Sequence, residues 1–195
     1  MDNKTSEQEM IDRILRGEQR WFAVLVNRYQ DMAFTLAFRL TGNREDAEEL
    51  AQSAFVKAYT NLAAFRGQCK FSTWLYTIVQ SLGLSFLRKK NLDTLSLSHN
   101  NMEAKVANRA DDSAAFALEN QSAKAVLQQA IAQLSHEDAV VLALFYQAEQ
   151  SLDEIGQILG IAANTAKVRL HRARTRLRKV LEQYFAPEVE NILNN

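Results

Sequence analysis

The chain has 195 residues, 47% of them apolar and 24% charged, and its 23 Lys and Arg are balanced by 23 Asp and Glu. That composition excludes a disordered chain and allows one ordinary domain or two small ones. A single cysteine excludes an internal disulfide, and one proline with six glycines leaves little turn chemistry for a many-stranded β fold, so the expectation is an all-α protein.

In chain order, Met1 to Glu9 is polar and acidic, without the basic flank and apolar core of a signal peptide. The longest apolar run, Ala139 to Phe145, is too short to span a bilayer, so a cytoplasmic protein without membrane insertion is expected. Trp21, Phe22, Leu25, Val26, Tyr29, Ala33, Leu36 and Leu40 recur with helical spacing, predicting an amphipathic helix that Thr41-Gly42-Asn43 stops. Asn43 caps a second helix, with Glu45 and Asp46 in its first turn and Ala47, Leu50, Ala54 and Ala58 on its buried side. Asp46, Glu49 and Gln52 lie along its other side. The loop AFRGQCKF follows, and Ser72 can cap a third helix whose stripe is Leu75, Ile78, Val79, Leu82 and Phe86. Arg88, Lys89 and Lys90 end it, where cations complement the helix dipole.

From Asn91 to about Asn120, Ser, Asn, Asp and Ala prevail, the composition of a linker. A flexible coil of roughly 28 residues has an r.m.s. span of about 30 Å, so the flanking blocks could act at separated sites. The expected division is an N-terminal domain over 1–92, a linker over 93–120 and a C-terminal domain over 121–195.

The second block opens with Ala125, Val126, Gln129, Ile131 and Leu134, and Ser135 with Asp138 starts a helix through Val141, Leu144 and Phe145. Ser151 and Glu154 form a capping box for a short helix that turns Leu152, Ile155 and Leu159 inward, and Gly160 sits where a left-handed C-terminal residue belongs. The last helix, ANTAKVRLHRARTRLRKVL, carries Lys167, Arg169, Arg172, Arg174, Arg176, Arg178 and Lys179 without an acid. Ala166, Leu170, Ala173, Leu177 and Leu181 form its buried seam, and Asn164, Val168, His171, Arg172 and Thr175 lie opposite. A short capped helix, a tight glycine turn and a basic helix make the helix-turn-helix plan, whose second helix enters the major groove by its N-terminal residues. Lys167 and Arg172 then reach bases, while Arg176 and Arg178, farther along, reach phosphate. The alternative is a solvated cationic face.

The stretch SLDEIGQILGIAANTAKVRLHRARTRLRKVL resembles the C-terminal DNA-binding domain of bacterial sigma factors. REDAEELAQSAFVKAY followed by FRGQCKFSTWLYTIVQSLGLSFLRKK resembles their core-binding and promoter-melting domain, and the order, spacing and linker are similar to the extracytoplasmic-function (ECF) group. The resemblance implies two small helical domains joined by a flexible linker, the second a helix-turn-helix domain of the winged-helix-like class. It implies core RNA polymerase and promoter DNA as partners, an anti-sigma factor as a further one, and no cofactor. By the same resemblance Asp46, Glu49 and Gln52 face the polymerase clamp. Phe65, Arg66, Lys70, Trp74, Thr77, Ser81 and Arg88 meet the melted downstream (minus-ten) element, and Asn164, Thr165, Lys167, Val168, His171, Arg172, Arg174 and Arg176 read the upstream (minus-thirty-five) element. Trp74, Thr77, Ser81 and Arg88 also supply the mixture that single-stranded DNA needs: a ring for unstacked bases, hydroxyls for base edges and a cation for phosphate. Trp74 as plain core is the competing reading. The chain departs from the family pattern at Gln80-Ser81, where an Asn is usual, and at Ala162 and Val168, where Pro and Ser are common, so promoter preference does not carry over from relatives.

An enzyme finds little support, since His99, His136 and His171 lie in the linker, at a helix start and on the basic helix, and no phosphate-binding glycine loop appears. No catalytic or metal-ligating residue is expected. Cys69 beside Arg66 and Lys70 could have a lowered pKa and act as a redox sensor, or be incidental. The remaining rivals are a helix-turn-helix repressor or activator acting without sigma activity and a purely helical interaction module.

Overall fold

The computed structural model of the chain describes residues 6–97 and 123–185, the side chains of 91–97 and 123 excepted. Most of the expected linker, and His99 with it, lies outside the described residues. Among the described residues every regular element is a helix: α1 (Glu7–Leu15), α2 (Arg20–Thr41), α3 (Arg44–Thr60), a 3-10 turn (Leu62–Ala64), α4 (Phe71–Leu97), α5 (Ala123–Ala132), α6 (His136–Tyr146), α7 (Leu152–Leu159) and α8 (Ala163–Tyr184).

α1 falls partly within the stretch read as a polar tail. Its signal is local: Ser6 accepts a hydrogen bond from the Glu9 backbone, and Met10, Ile11 and Ile14 behind it are buried. α2 ends as expected, with Gly42 at φ 80° and its N–H on the Phe38 carbonyl at 2.9 Å. Asn43 caps α3 by accepting from the Asp46 backbone at 2.9 Å. Ser72 is not the cap of α4. That helix starts at Phe71, the Trp74 N–H already bonds the Lys70 carbonyl at 3.1 Å, and Ser72 and Thr73 are buried. Nor does α4 stop at Lys90: no glycine or proline lies between Arg88 and Leu97, and the backbone stays helical to Leu97.

α1 to α4 form one bundle, in which Leu25, Leu36 and Leu40 of α2 meet the alanine face of α3 (Ala47, Ala54, Ala58) and the Phe71, Leu75 and Val79 stripe of α4. Burying each such leucine stabilises the bundle by roughly 1.5–3 kcal/mol. Small residues bring the axes close: a Cβ at Gly83 of α4 would lie 2.4 Å from Leu40 Cδ1.

α5 to α8 form the second bundle, in which α8 packs against α5, α6 and α7 and the residues of α6 from Asp138 to Leu144 are all buried. Ser135 caps α6 through the Asp138 N–H, and Ser151 and Glu154 complete the expected capping box on α7. Gly160 turns the chain at φ 66°. Inside the turn, a Cβ at Gly156 would lie 2.7 Å from the Ile161 carbonyl oxygen, so only glycine lets α7 approach the start of α8 this closely. The two bundles are in contact, α4 against α7 and α2 against α6.

Candidate nucleic-acid interface

On α8 the buried seam of Ala166, Leu170 and Ala173 fixes the rotation of the helix against α6 and α7. Leu177 and Leu181, expected to continue it, are only half-buried and line an open apolar groove of about 820 Å³ with Leu127, Leu142 and Tyr146. Asn164, Thr165, Lys167, Val168, His171 and Arg172 are exposed on the first turns. Lys167, His171 and Arg172 make no side-chain hydrogen bond or ion pair among the described residues. By contrast, Arg169 lies 3.7 Å from Glu137, Arg174 covers the rings of Phe145 and Tyr146 at 5.0 and 5.2 Å, Arg176 bonds Asp138, and Arg178 bonds Glu182 at 2.6 Å. Lys167 and Arg172 near the start of α8 and Lys179 near its end thus have no partner among the described residues, whereas Arg169, Arg174, Arg176 and Arg178 have internal ones. Arg176 and Arg178, expected from sequence at DNA phosphates, with Arg176 also among the residues of the upstream reader, both have internal partners.

The 65–70 loop and α4 bring a second group together. Phe65, Phe71 and Trp74 form an aromatic cluster, with Phe65 and Trp74 centroids 5.1 Å apart and Phe71 and Trp74 5.8 Å apart. Trp74 is half-buried, packed in this cluster and partly accessible. Thr77 donates to the Thr73 carbonyl at 2.9 Å, Ser81 is exposed, and Arg88 reaches back to the Leu84 carbonyl and the Ser85 hydroxyl, each at 3.3 Å. Arg66 is exposed, while Lys70 is turned toward the other bundle, its Nζ 2.9 Å from Glu154. Cys69 therefore has a different environment from the one its sequence neighbours imply. Burial and the Glu154 carboxylate push its thiol pKa up, which removes the basis for a reactive redox cysteine.

On α3, Glu49 and Gln52 are exposed, and Asp46 is half-buried because it also takes part in the helix start, accepting from the Asn43 side-chain amide. Beyond Gln52 the same helix exposes Val56 and Tyr59, which with Phe22, Val26 and Phe55 line a second apolar groove of about 540 Å³. The sequence reading missed both grooves, although exposed Val56 and Tyr59 break the polar pattern of α3. Among the described residues no group of His, Cys, Asp and Glu could hold a metal, and no helix is long and apolar enough to cross a membrane.

A helical bundle carrying an aromatic and hydroxyl-lined helix, followed by a helix-turn-helix with free cations at the start of its second helix, defines a two-domain DNA-binding protein. Two family models match the chain: Sigma-70 region 2 over residues 25–92 and Sigma-70 region 4 over residues 124–177. The chain is 37% identical to the ECF RNA polymerase sigma factor SigW of Bacillus subtilis, covering 89% of this chain and 96% of SigW. It is 29% identical to the RNA polymerase sigma-H factor of Pseudomonas aeruginosa, covering 93% and 97% of the two chains. Among solved structures, the sigma factor RpoE of Bartonella quintana, in complex with the anti-sigma factor NepR, shares the fold at a TM-score of 0.66, with 22% identity over 84% of this chain and 98% of that one. The chain belongs to the ECF RNA polymerase sigma factors, the proteins that direct transcription initiation.

Proposed function

We propose a division of that activity among three surfaces. Glu49 and Gln52, with Asp46 at the helix start, grip core RNA polymerase. The C-terminal domain (121–195) reads the upstream promoter element through Asn164, Thr165, Lys167, Val168, His171 and Arg172. The N-terminal domain (1–92) melts the downstream element and holds the opened strand on Trp74, Thr77, Ser81, Arg66 and Arg88. The 93–120 segment sets the reach between the two, its first residues continuing the backbone of α4. The observation that carries the reading is that Lys167 and Arg172, on the first turns of α8 where a helix in the major groove meets bases, are exposed and have no partner among the described residues. The chain performs no chemistry itself, acts in the cytoplasm, and has an anti-sigma factor as a further partner, as RpoE has NepR.

In vitro transcription tests this. Purified core polymerase with genomic fragments should yield discrete transcripts only when this protein is added, and Lys167→Ala or Arg172→Ala should remove them. Discrete transcripts unaffected by either substitution would refute the assignment of the upstream reader.

A further inference from the structure

The outward face of α8 carries one large apolar side chain among polar ones. Val168 is 48% exposed, lies outside the core cluster and lines neither apolar groove. Ala166 and Leu170, two residues to either side, are buried, and two residues are about 200° of helix, so no rotamer returns Val168 to the seam. Its neighbours on the exposed face are Asn164 and Thr165 one turn before it, Lys167 next to it, and His171 and Arg172 one turn after it, all exposed. Single apolar residues are common on protein surfaces. In this domain, however, exposed Leu127 and Tyr146 line the groove between α5, α6 and α8, whereas Val168 is set within the surface assigned to the upstream element. A valine in a helix is held in one χ1 rotamer, so its two methyl groups stand in fixed positions.

We propose that Val168 packs on the C5-methyl group of a thymine in the upstream element and makes that thymine a determinant of promoter choice. The proposal rests on the assignment of α8 to the upstream element. Of the four bases only thymine presents an apolar group in the major groove; guanine shows two acceptors there, adenine an acceptor and a donor, and cytosine a donor. The valine side chain has neither donor nor acceptor, so covering one of those edges removes water without replacing its hydrogen bonds. Against thymine the same contact takes two apolar surfaces out of water. Val168 stands midway between Asn164 and Arg172, each about 6 Å away along the helix axis, so its thymine falls between the base pairs that those two residues face.

Holoenzyme binding tests this on the upstream element of a promoter that yields a discrete transcript, with each thymine of either strand replaced in turn by deoxyuridine, which lacks only the methyl group. One replacement should weaken wild-type binding roughly fourfold, the worth of one buried methyl group. Val168→Ala should weaken binding to the unmodified element to a similar degree and become indifferent to that deoxyuridine, since the two changes remove the same contact. Arg172→Ala should also weaken binding but keep the fourfold effect of the methyl group. Alanine favours the helix, so circular dichroism of the variants should match wild type. Indifference of the wild type to every deoxyuridine, or a methyl effect that survives Val168→Ala, would overturn the proposal; if Lys167→Ala and Arg172→Ala still weaken binding, the assignment of α8 stands without it. Unaltered binding by all three alanine variants would overturn both.

Discussion

Arg176 of α8 places its Nη1 2.9 and 2.7 Å from the two carboxylate oxygens of Asp138, whose side chain is 8% exposed at the start of α6. Arg176 itself is 58% exposed, so the pair is buried on one side only. Arg176→Met, which keeps the apolar stem and removes the charge, should strand the carboxylate and lower stability by about 1–3 kcal/mol, below the loss expected for a fully buried pair. Pairing it with Asp138→Asn should recover part of that loss. Denaturant unfolding of the single and double variants checks this; an unchanged midpoint for Arg176→Met would mean that the pair contributes nothing to the fold.

Lys167→Ala and Arg172→Ala should behave in the opposite way. Neither residue has a partner among the described residues, so stability should change by less than about 0.5 kcal/mol. Loss of a base contact from either should cost roughly 1–3 kcal/mol on the cognate upstream element and little on unrelated DNA. Holoenzyme binding to cognate and scrambled elements separates the two effects, and equal losses on both would make these residues phosphate contacts instead.

The difference between those two groups shows what sequence could and could not reveal. Helix starts and stops were legible because their chemistry is local: Asn43, Ser135, Ser151, Gly42 and Gly160 all act within a few residues of themselves. The exposed face of α8 was legible because its seam repeats with the helical period. The partner of Arg176 was not, since Asp138 lies 38 residues away and reads in sequence only as part of a cap. Ser72 shows the same limit, for it has the composition of a cap but packs inside the bundle. Lys70 beside Cys69 was misread for the same reason: its charge is directed to Glu154, a residue of the other bundle. α1 escaped notice because its buried residues, Met10, Ile11 and Ile14, are too few for a periodic signal.

Glu49→Lys should abolish assembly with core polymerase while leaving the melting curve within about 0.5 kcal/mol of wild type, since the residue is exposed. Asp46→Lys should do both kinds of damage, because Asp46 accepts from Asn43 and lies in the acidic first turn of α3, where a reversed charge opposes the helix dipole at a cost of roughly 1 kcal/mol. Gel filtration with core polymerase and thermal unfolding distinguish them. Normal co-elution of Glu49→Lys would remove this face from the interface.

Trp74→Ala should allow closed promoter complexes and impair strand opening, because the ring is only half-buried and its accessible part can meet an unstacked base. It should also cost stability through its contacts with Phe65 and Phe71. Promoter DNA with a pre-melted downstream element should rescue transcription by the folded variant. No rescue, with the fold intact, would assign Trp74 to the aromatic cluster alone.

The sigma-factor account is tested most directly by a gel shift on one cognate promoter at moderate salt, with this protein alone, core polymerase alone, and both together. The free chain should bind duplex poorly: its formal net charge is zero, Glu137, Asp138 and Glu182 take up Arg169, Arg176 and Arg178, and little field remains to drive non-specific association. Polymerase should create tight, sequence-specific binding by holding both domains at promoter spacing, so that the second contact becomes intramolecular. A specific shift only in the combined lane is the predicted result; tight, specific binding by the isolated protein, unchanged by polymerase, would contradict it.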